Sequence, residues 1–178
     1  MLNAKLRLPC VSCPLPFKFR VRLIHHVRRY LFGYAGAACL AVIFQQNFAF
    51  GINASQSLPD TLYLIHKGAA IQRGDYVAFR WHGGGPYPAG VTFIKIAAGV
   101  PGDRVARVDR VYFVNGRFVG SAKTHGRDGK ALAPMHEGIL GADEYYVSAP
   151  HPDSLDSRYS LTGWISKSDV IGRAHAIF

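Results

Sequence analysis

Two side chains frame the chemistry open to this chain. Lys95 stands in the middle of an otherwise apolar run, Val91-Thr92-Phe93-Ile94-Lys95-Ile96-Ala97-Ala98; burial there disfavours an ammonium and pulls its pKa down toward a working pH. Ser57 lies 38 positions earlier, in Asn53-Ala54-Ser55-Gln56-Ser57-Leu58-Pro59. A serine hydroxyl is a weak nucleophile until a base takes its proton, and a neutral lysine is such a base. Ser57 and Lys95 therefore form a candidate Ser-Lys dyad. The oxyanion of an acyl transfer also needs donors, and the backbone N–H of Ser57 with the hydroxyl of Ser55 would supply them. Neither stretch contains a His, so a His-based triad has little support. Each feature also has a plain structural reading: a Ser-rich turn, and an edge-strand or snorkelling Lys.

The elements that must position these residues read as strands. Short runs rich in Val, Ile, Phe and Tyr recur at 61–65, 75–81, 91–97, 104–114, 117–120, 144–148 and 171–178, separated by Gly, Pro and Asp breaks. Asn115-Gly116, between Val111–Val114 and Arg117–Val119, supplies the two positive-φ positions of a type I′ turn and predicts a hairpin. Gly83-Gly84-Gly85-Pro86 and the Gly/Lys/Pro-rich stretch 121–138 read as loops, the second as a mobile insertion. With no long amphipathic helix and no internal repeat, residues 53–178 are expected to form one all-β domain.

The first 52 residues are of another kind. The chain carries 21 Lys+Arg against 11 Asp+Glu, a net +10, which as a bulk figure suggests a nucleic-acid binder. Seven of the basic residues, Lys5, Arg7, Lys18, Arg20, Arg22, Arg28 and Arg29, lie in residues 1–30 with no acid among them. The excess is thus local, and the remaining fourteen basic and eleven acidic side chains nearly balance. The charges stop where an uncharged run, 30–52, begins; a helix of about 20 apolar residues crosses a bilayer core. Residues 1–29 are expected as a basic cytoplasmic segment and 30–52 as a transmembrane helix, with the positive-inside rule placing 53–178 in the periplasm of a bacterial inner-membrane protein. A cleaved signal peptide is the rival, but the flank lacks a clean Ala-x-Ala. Topology accounts for the basic segment, and no nucleic acid is expected as a partner.

Cys10 and Cys13 precede the run and Cys39 lies in it, so the exported part has no thiol for a disulfide or a nucleophile. Cys10-x-x-Cys13 lacks suitably spaced His partners for zinc. No metal and no cofactor are expected.

In this order the motifs resemble the type I signal peptidases of the Ser-Lys class (S26 type), and most closely their conjugative-transfer, TraF-type branch. Asn53 to Pro59 is similar to the nucleophile box, Arg73-Gly74-Asp75-Tyr76-Val77-Ala78-Phe79 to the strand that follows it, Lys95 to Asp103 to the K-x-x-x-G-φ-P-G-D box, and Ser154-Leu155-Asp156-Ser157-Arg158-Tyr159 to S-x-D-S-R-Y. The resemblance covers roughly residues 30–178. It implies an all-β, signal-peptidase-like catalytic domain with Ser57 as nucleophile, Lys95 as general base and Ser55 at the oxyanion hole. It further implies that Ser154 orients the lysine and that Asp156 with Arg158 supports the site. The nucleophile box is short, and the usual Gly-Asp-Asn opening of the last box is replaced by Ser148-Ala149-Pro150-His151-Pro152. The carboxylate supporting the dyad is therefore Asp156 or, failing that, Asp153.

The function so implied is that of a membrane-anchored serine endopeptidase processing an exported precursor, a conjugative pilin by the TraF-type resemblance. Cleavage of a leader or of a C-terminal segment, and hydrolysis or cyclisation, all use the same dyad. An extended substrate would pair along a sheet edge near 76–81 or 91–95. The competing readings are a self-cleaving repressor of the LexA type, a DNA-contacting transfer protein, and a non-catalytic membrane-anchored component of a pilus or type IV secretion channel.

Overall fold

The computed structural model describes residues 17–55 and 57–178. The chain divides into two compact units, Met1–Ile43 and Phe44–Phe178. The described part of the first belongs to one helix, α1 (Phe17–Asn47), within which Val21–Asn47 is long and apolar enough to cross a membrane. At about 1.5 Å per residue those 27 residues extend about 40 Å, more than the ~30 Å hydrocarbon core. Their side chains are exposed throughout: Phe32 is 90% and Leu40 69% accessible, as a membrane anchor or signal sequence would be outside its bilayer. Of the basic segment, Lys5 and Arg7, like Cys10 and Cys13, lie outside the described residues.

Two expected boundaries move. Residues 17–29 are continuous with the apolar helix, so charge changes at Tyr30 but backbone conformation does not. At the far end the uncharged run 30–52 is not helical throughout. Its last five residues form strand β1 (Phe48–Ile52), paired antiparallel with β2 (Leu62–Lys67), Phe48 opposite His66 and Ile52 opposite Leu62. Phe-Ala-Phe-Gly-Ile is as apolar as a membrane segment; alternation and a waiting partner edge, neither visible in hydropathy, decide for strand.

The second unit is all-β. The remaining strands are β3 (Tyr76–Arg80), β4 (Thr92–Gly99), β5 (Arg104–Val108), β6 (Val111–Val114), β7 (Arg117–Ser121), β8 (Gly138–Ile139), β9 (Glu144–Ser148), β10 (Ile165–Ser166) and β11 (Val170–Ala176). Seven strands form one sheet in the order β1-β2-β11-β3-β4-β9-β10, and β7-β6-β5-β8 form a second. The expected hairpin is present, with Asn115 and Gly116 both at positive φ (49° and 77°). The run 104–114 is two strands, because Asp109, at φ 53°, turns the chain between β5 and β6.

The last long strand, β11, inserts between β2 and β3. Gly172 permits this: a Cβ there would lie 2.0 Å from the His66 carbonyl oxygen, so any side chain would force the strands apart. Insertion of β11 makes β3 an interior strand, and 76–81 offers no edge to a substrate. Strand β4 differs. Its residues 92–96 pair with β3 on one side, whereas on the other β9 pairs it only from Ile96 onward. The stretch 92–95 thus keeps one side without a strand partner.

Residues 121–138, expected as a mobile loop, carry structure of their own. Gly126 N–H donates to Lys130 O (2.8 Å), Leu132 N–H to Thr124 O (2.8 Å), and His125 bridges Ala131, giving a small hairpin over 124–132. Its base is tied by Arg110, which donates to the carbonyls of Ala122, Lys123 and Leu132, and by Tyr159, whose hydroxyl accepts from Lys123 N–H.

Candidate active site

Ser57 follows β1 in a turn that its own neighbours brace. Asn53 Nδ2 donates to the carbonyls of Leu58 and Asp60 (both 3.2 Å), closing the loop like a staple. Leu58, 5% exposed, packs among Tyr63, Ile65, Ala78 and Ile94 and so anchors the chain next to Ser57. Asn53 Oδ1 also accepts from Ser55 Oγ (3.1 Å). Sequence reasoning did not assign Asn53 a site role; its signal was an Asn at a strand end two residues before a Ser, the residue type that bonds local backbone.

Lys95 comes from β4, opposite Val77 of β3, and is 5% exposed. Its Nζ lies 2.9 Å from Ser57 Oγ and 2.9 Å from Ser154 Oγ. Ser55 Oγ is 2.9 Å from Ser57 Oγ. The hydroxyls of Ser55, Ser57 and Ser154 and the amine of Lys95 thus form one connected line. Burial pushes the Lys95 pKa down to about 8, with the Asp156 carboxylate raising it and the Arg158 guanidinium lowering it further. A substantial fraction of the amine is then neutral near pH 8.

Ser154 is placed by the chain after β9. The loop folds back on its strand: Ser157 N–H donates to Val147 O (3.0 Å), Ser157 Oγ accepts from Val147 N–H (3.0 Å), and Asp156 Oδ2 accepts from Ala149 N–H (3.1 Å). Asp156, fully buried, grips Arg158 through Nε (2.8 Å to Oδ1) and a terminal nitrogen (2.9 Å to Oδ2). Arg158 in turn donates to the carbonyls of Ser154 (3.3 Å) and Ser121 (3.0 Å). The ion pair therefore fixes the backbone carrying the Ser154 hydroxyl. Asp153 is elsewhere: it pairs with Lys123 and with Arg127 of the hairpin, at the edge of the site.

Asp103, at the end of the Lys95–Asp103 motif, accepts from Arg73, from Asn115 Nδ2 (2.8 Å) and from Val100 N–H (2.8 Å). Burial opposes its charge, but the Val100 amide, Arg73 and Asn115 prevail and hold the carboxyl below the usual carboxylate range. This cluster joins the turn before β3 to the turn after β4, and so secures the far end of the strand bearing Lys95.

The dyad opens into a groove of about 930 Å³. It is lined by Ile52–Ser55 and Val91–Ile94, by Lys123, His125–Asp128 and Lys130–Leu132 of the hairpin and its base, and by His151 and Asp153–Leu155, with Tyr87 and Leu161. Phe93 stacks on Trp81 (4.9 Å between centroids) and meets Tyr87 edge-on (5.1 Å). Among the described residues no three His, Cys, Asp or Glu side chains converge as metal ligands.

The chain is similar to known proteins along the same lines. Over 87 residues it is 32% identical to "Conjugal transfer protein TraF" of Agrobacterium tumefaciens (strain 15955), a match covering 48% of each chain; it thus spans about half the length of that relative. A crystal structure of a signal peptidase I from Enterococcus faecalis V583 aligns with 58% of this chain and 96% of its own, at 21% identity and a TM-score of 0.37. The family described as "Signal peptidase, peptidase S26" matches residues 23–178, helix and β-domain together. By that match the chain belongs to the peptidase S26, signal peptidase family.

Proposed function

We propose that the protein is a membrane-anchored serine endopeptidase in which Ser57 is the nucleophile and Lys95 the general base. The observation that carries this reading is a buried lysine amine 2.9 Å from a serine hydroxyl. A charged amine is costly in such a place, and a structural role would be served better by an apolar residue.

The substrate's acyl side extends along 92–95, the part of β4 with an unpaired side, and apolar pockets beside it take small side chains. Neutral Lys95 accepts the Ser57 proton as Oγ bonds to the scissile carbonyl carbon. Ser55 has a single proton, held toward Asn53 Oδ1 or Ser57 Oγ in the resting site. It turns that proton to the oxyanion, alongside the Ser57 amide. The C–N bond breaks, protonated Lys95 returns its proton to the leaving amine, and an ester remains on Ser57. Water, or an amine of the same substrate, then attacks the ester and regenerates the hydroxyl. Ser154 keeps Lys95 Nζ aimed at Ser57, and Asp156 with Arg158 keeps Ser154 in place.

The precursor is proposed to be a conjugative pilin, on the likeness to a relative named for conjugal transfer. The helix anchors the enzyme in the bacterial inner membrane with its N-terminus cytoplasmic and the β-domain periplasmic; basic residues on one side of the helix support that orientation. A periplasmic reporter fused after residue 60 is expected to be active, and activity of a cytoplasmic reporter there would reverse the topology.

Ser57→Ala and Lys95→Met are each expected to stop maturation of a co-expressed pilin precursor while the protein stays folded and membrane-inserted. Normal maturation in either would remove the dyad and favour a structural channel component. Mass spectrometry of the wild-type product distinguishes linear from circular pilin by the mass of one water.

A further inference from the structure

The hairpin over 124–132 plays no part in the dyad, yet it lines the dyad's groove. The charged residues lining that groove are Lys95, Lys123, Arg127 and Lys130 against Asp128 and Asp153, with His125 and His151 beside them. Apart from Lys95, all of these lie on the hairpin, its base or the 151–155 loop. The lining stretches Ile52–Ser55 and Val91–Ile94 carry no charge. The groove's charge, Lys95 apart, therefore comes from the hairpin, its base and the 151–155 loop, with three cations to two carboxylates, and not from the stretch beside the unpaired part of β4.

With the acyl side along 92–95, as in the peptidase reading above, strand pairing limits how far a substrate can follow β4. A peptide following the unpaired side of β4 runs out of it at the dyad, because β9 occupies that side from Ile96 onward. Residues on the acyl side lie along the uncharged stretch. Those beyond the scissile bond must leave past Lys123, Arg127 and Lys130. These cations are built in: Asp153 takes Arg127 Nε (3.0 Å) and holds Lys123, and Asp128 takes Lys130 Nζ (3.3 Å). The carboxylates fix the hairpin but do not exhaust its donors, since a guanidinium has five and an ammonium three. Arg127 and Lys130 side chains remain 74% and 78% exposed.

We propose that this hairpin is a leaving-side recognition element, in which Lys123, Arg127 and Lys130 select substrates bearing a carboxylate shortly after the scissile bond. The inference rests on the peptidase reading above. The carboxylate is an acidic side chain or, where the leaving segment is short, the substrate's own C-terminus; both are the same ligand to a guanidinium.

The test uses the full chain in detergent micelles and peptides with alanine at the first and third acyl-side positions. The second leaving-side residue is Glu, Gln or Lys, each with a free or an amidated C-terminus. Binding is measured on Ser57→Ala by fluorescence anisotropy, and cleavage on the wild type. Expected is tighter binding of Glu over Gln by about fivefold, with Lys weakest, as suits exposed pairs. The preference appears in KM rather than kcat and shrinks at high salt. Arg127→Glu with Lys130→Glu reverses the order; should that double variant misfold, Lys130→Glu alone must flatten it. Weaker binding of all three peptides on amidation assigns recognition to the terminal carboxylate, and a Glu preference that persists on amidation assigns it to the side chain.

Equal binding of Glu, Gln and Lys peptides that amidation does not weaken, or no binding of any, overturns the hairpin's role even where cleavage proceeds. Charge-ordered binding without cleavage by the wild type overturns the peptidase reading instead.

Discussion

Asp153 and Asp156 stand three positions apart on one loop, and each pairs with cations, yet their settings are opposites. Asp156 is fully buried against an Arg158 side chain that is 4% exposed. Asp153 reaches Lys123 and Arg127, whose side chains are 47% and 74% exposed. Both are aspartates in a polar stretch, and either would serve on paper as the carboxylate behind a Ser-Lys dyad. Burial separates them: the inner pair sets backbone that carries Ser154, while the outer pair sets a hairpin at the rim. Two aspartates paired with cations thus do different work within one loop, because solvent screens the outer pairs and cannot reach the inner one.

The strongest way to break that contrast is Asp156→Asn. Removing one partner of a buried pair leaves Arg158 uncompensated and is expected to cost about 3–5 kcal/mol of stability, read by urea unfolding. A cost near zero would mean that the buried pair does not organise the loop. Arg158→Lys keeps the charge but loses the two-pronged grip, so an intermediate loss of about 1–3 kcal/mol is expected, with slowed processing.

Lys95 sharpens the contrast through pH. As the proposed base, Lys95 acts only when neutral, so kcat/KM should rise about tenfold per pH unit below its pKa and level off above about 8. The Asp156 carboxylate raises that pKa and Arg158 lowers it. In any Asp156→Asn protein that still folds, the inflection moves to lower pH, whereas Asp153→Asn leaves it where it was. An equal shift from both would erase the distinction between the two carboxylates.

The same lysine costs the fold something. Its folded pKa lies below the ordinary 10.5, so between about 8 and 10.5 the unfolded chain binds the proton and the folded one does not; stability therefore increases with pH across that window. At neutral pH Lys95→Met is expected to raise Tm, with a gain on the order of 1–2 kcal/mol, while ending processing. A lower Tm would say that the hydrogen bonds to Ser57 and Ser154 outweigh desolvation. The smallest effect belongs to Asp153→Asn: thermal unfolding unchanged, and only the preference for leaving-side charge altered, measured with the peptide series above.

Much of the site was legible because chemistry of this kind leaves traces at fixed positions. A lysine in an apolar strand and serines two apart in a turn stand out against what burial and propensity alone would select. So do the strands with alternating apolar residues and the Asn115-Gly116 turn, whose required φ values few residues accept. Less legible was anything that depends on which strand neighbours which. Hydropathy joined β1 to the membrane run, since a strand waiting for β2 and a helix crossing lipid are equally apolar. Of the two stretches expected as free edges, 76–81 is covered by β11, which pairs with β3 from far along the chain, and only 92–95 keeps an unpaired side. The hairpin over 124–132 read as loose because its restraints, Arg110, Tyr159 and Asp153, are distant in sequence.

By itself, then, the sequence determined composition-bound properties: an apolar helix long enough to cross a bilayer, a β-rich remainder without thiols, and the residue types for a Ser-Lys reaction in workable order. Tertiary structure alone decided which hydroxyls and which carboxylate converge on Lys95, how far its pKa falls, and where the sheet leaves an edge open. Local preference acts through neighbours along the chain, but desolvation and strand pairing depend on the atoms that surround a group, and those come from everywhere in the fold.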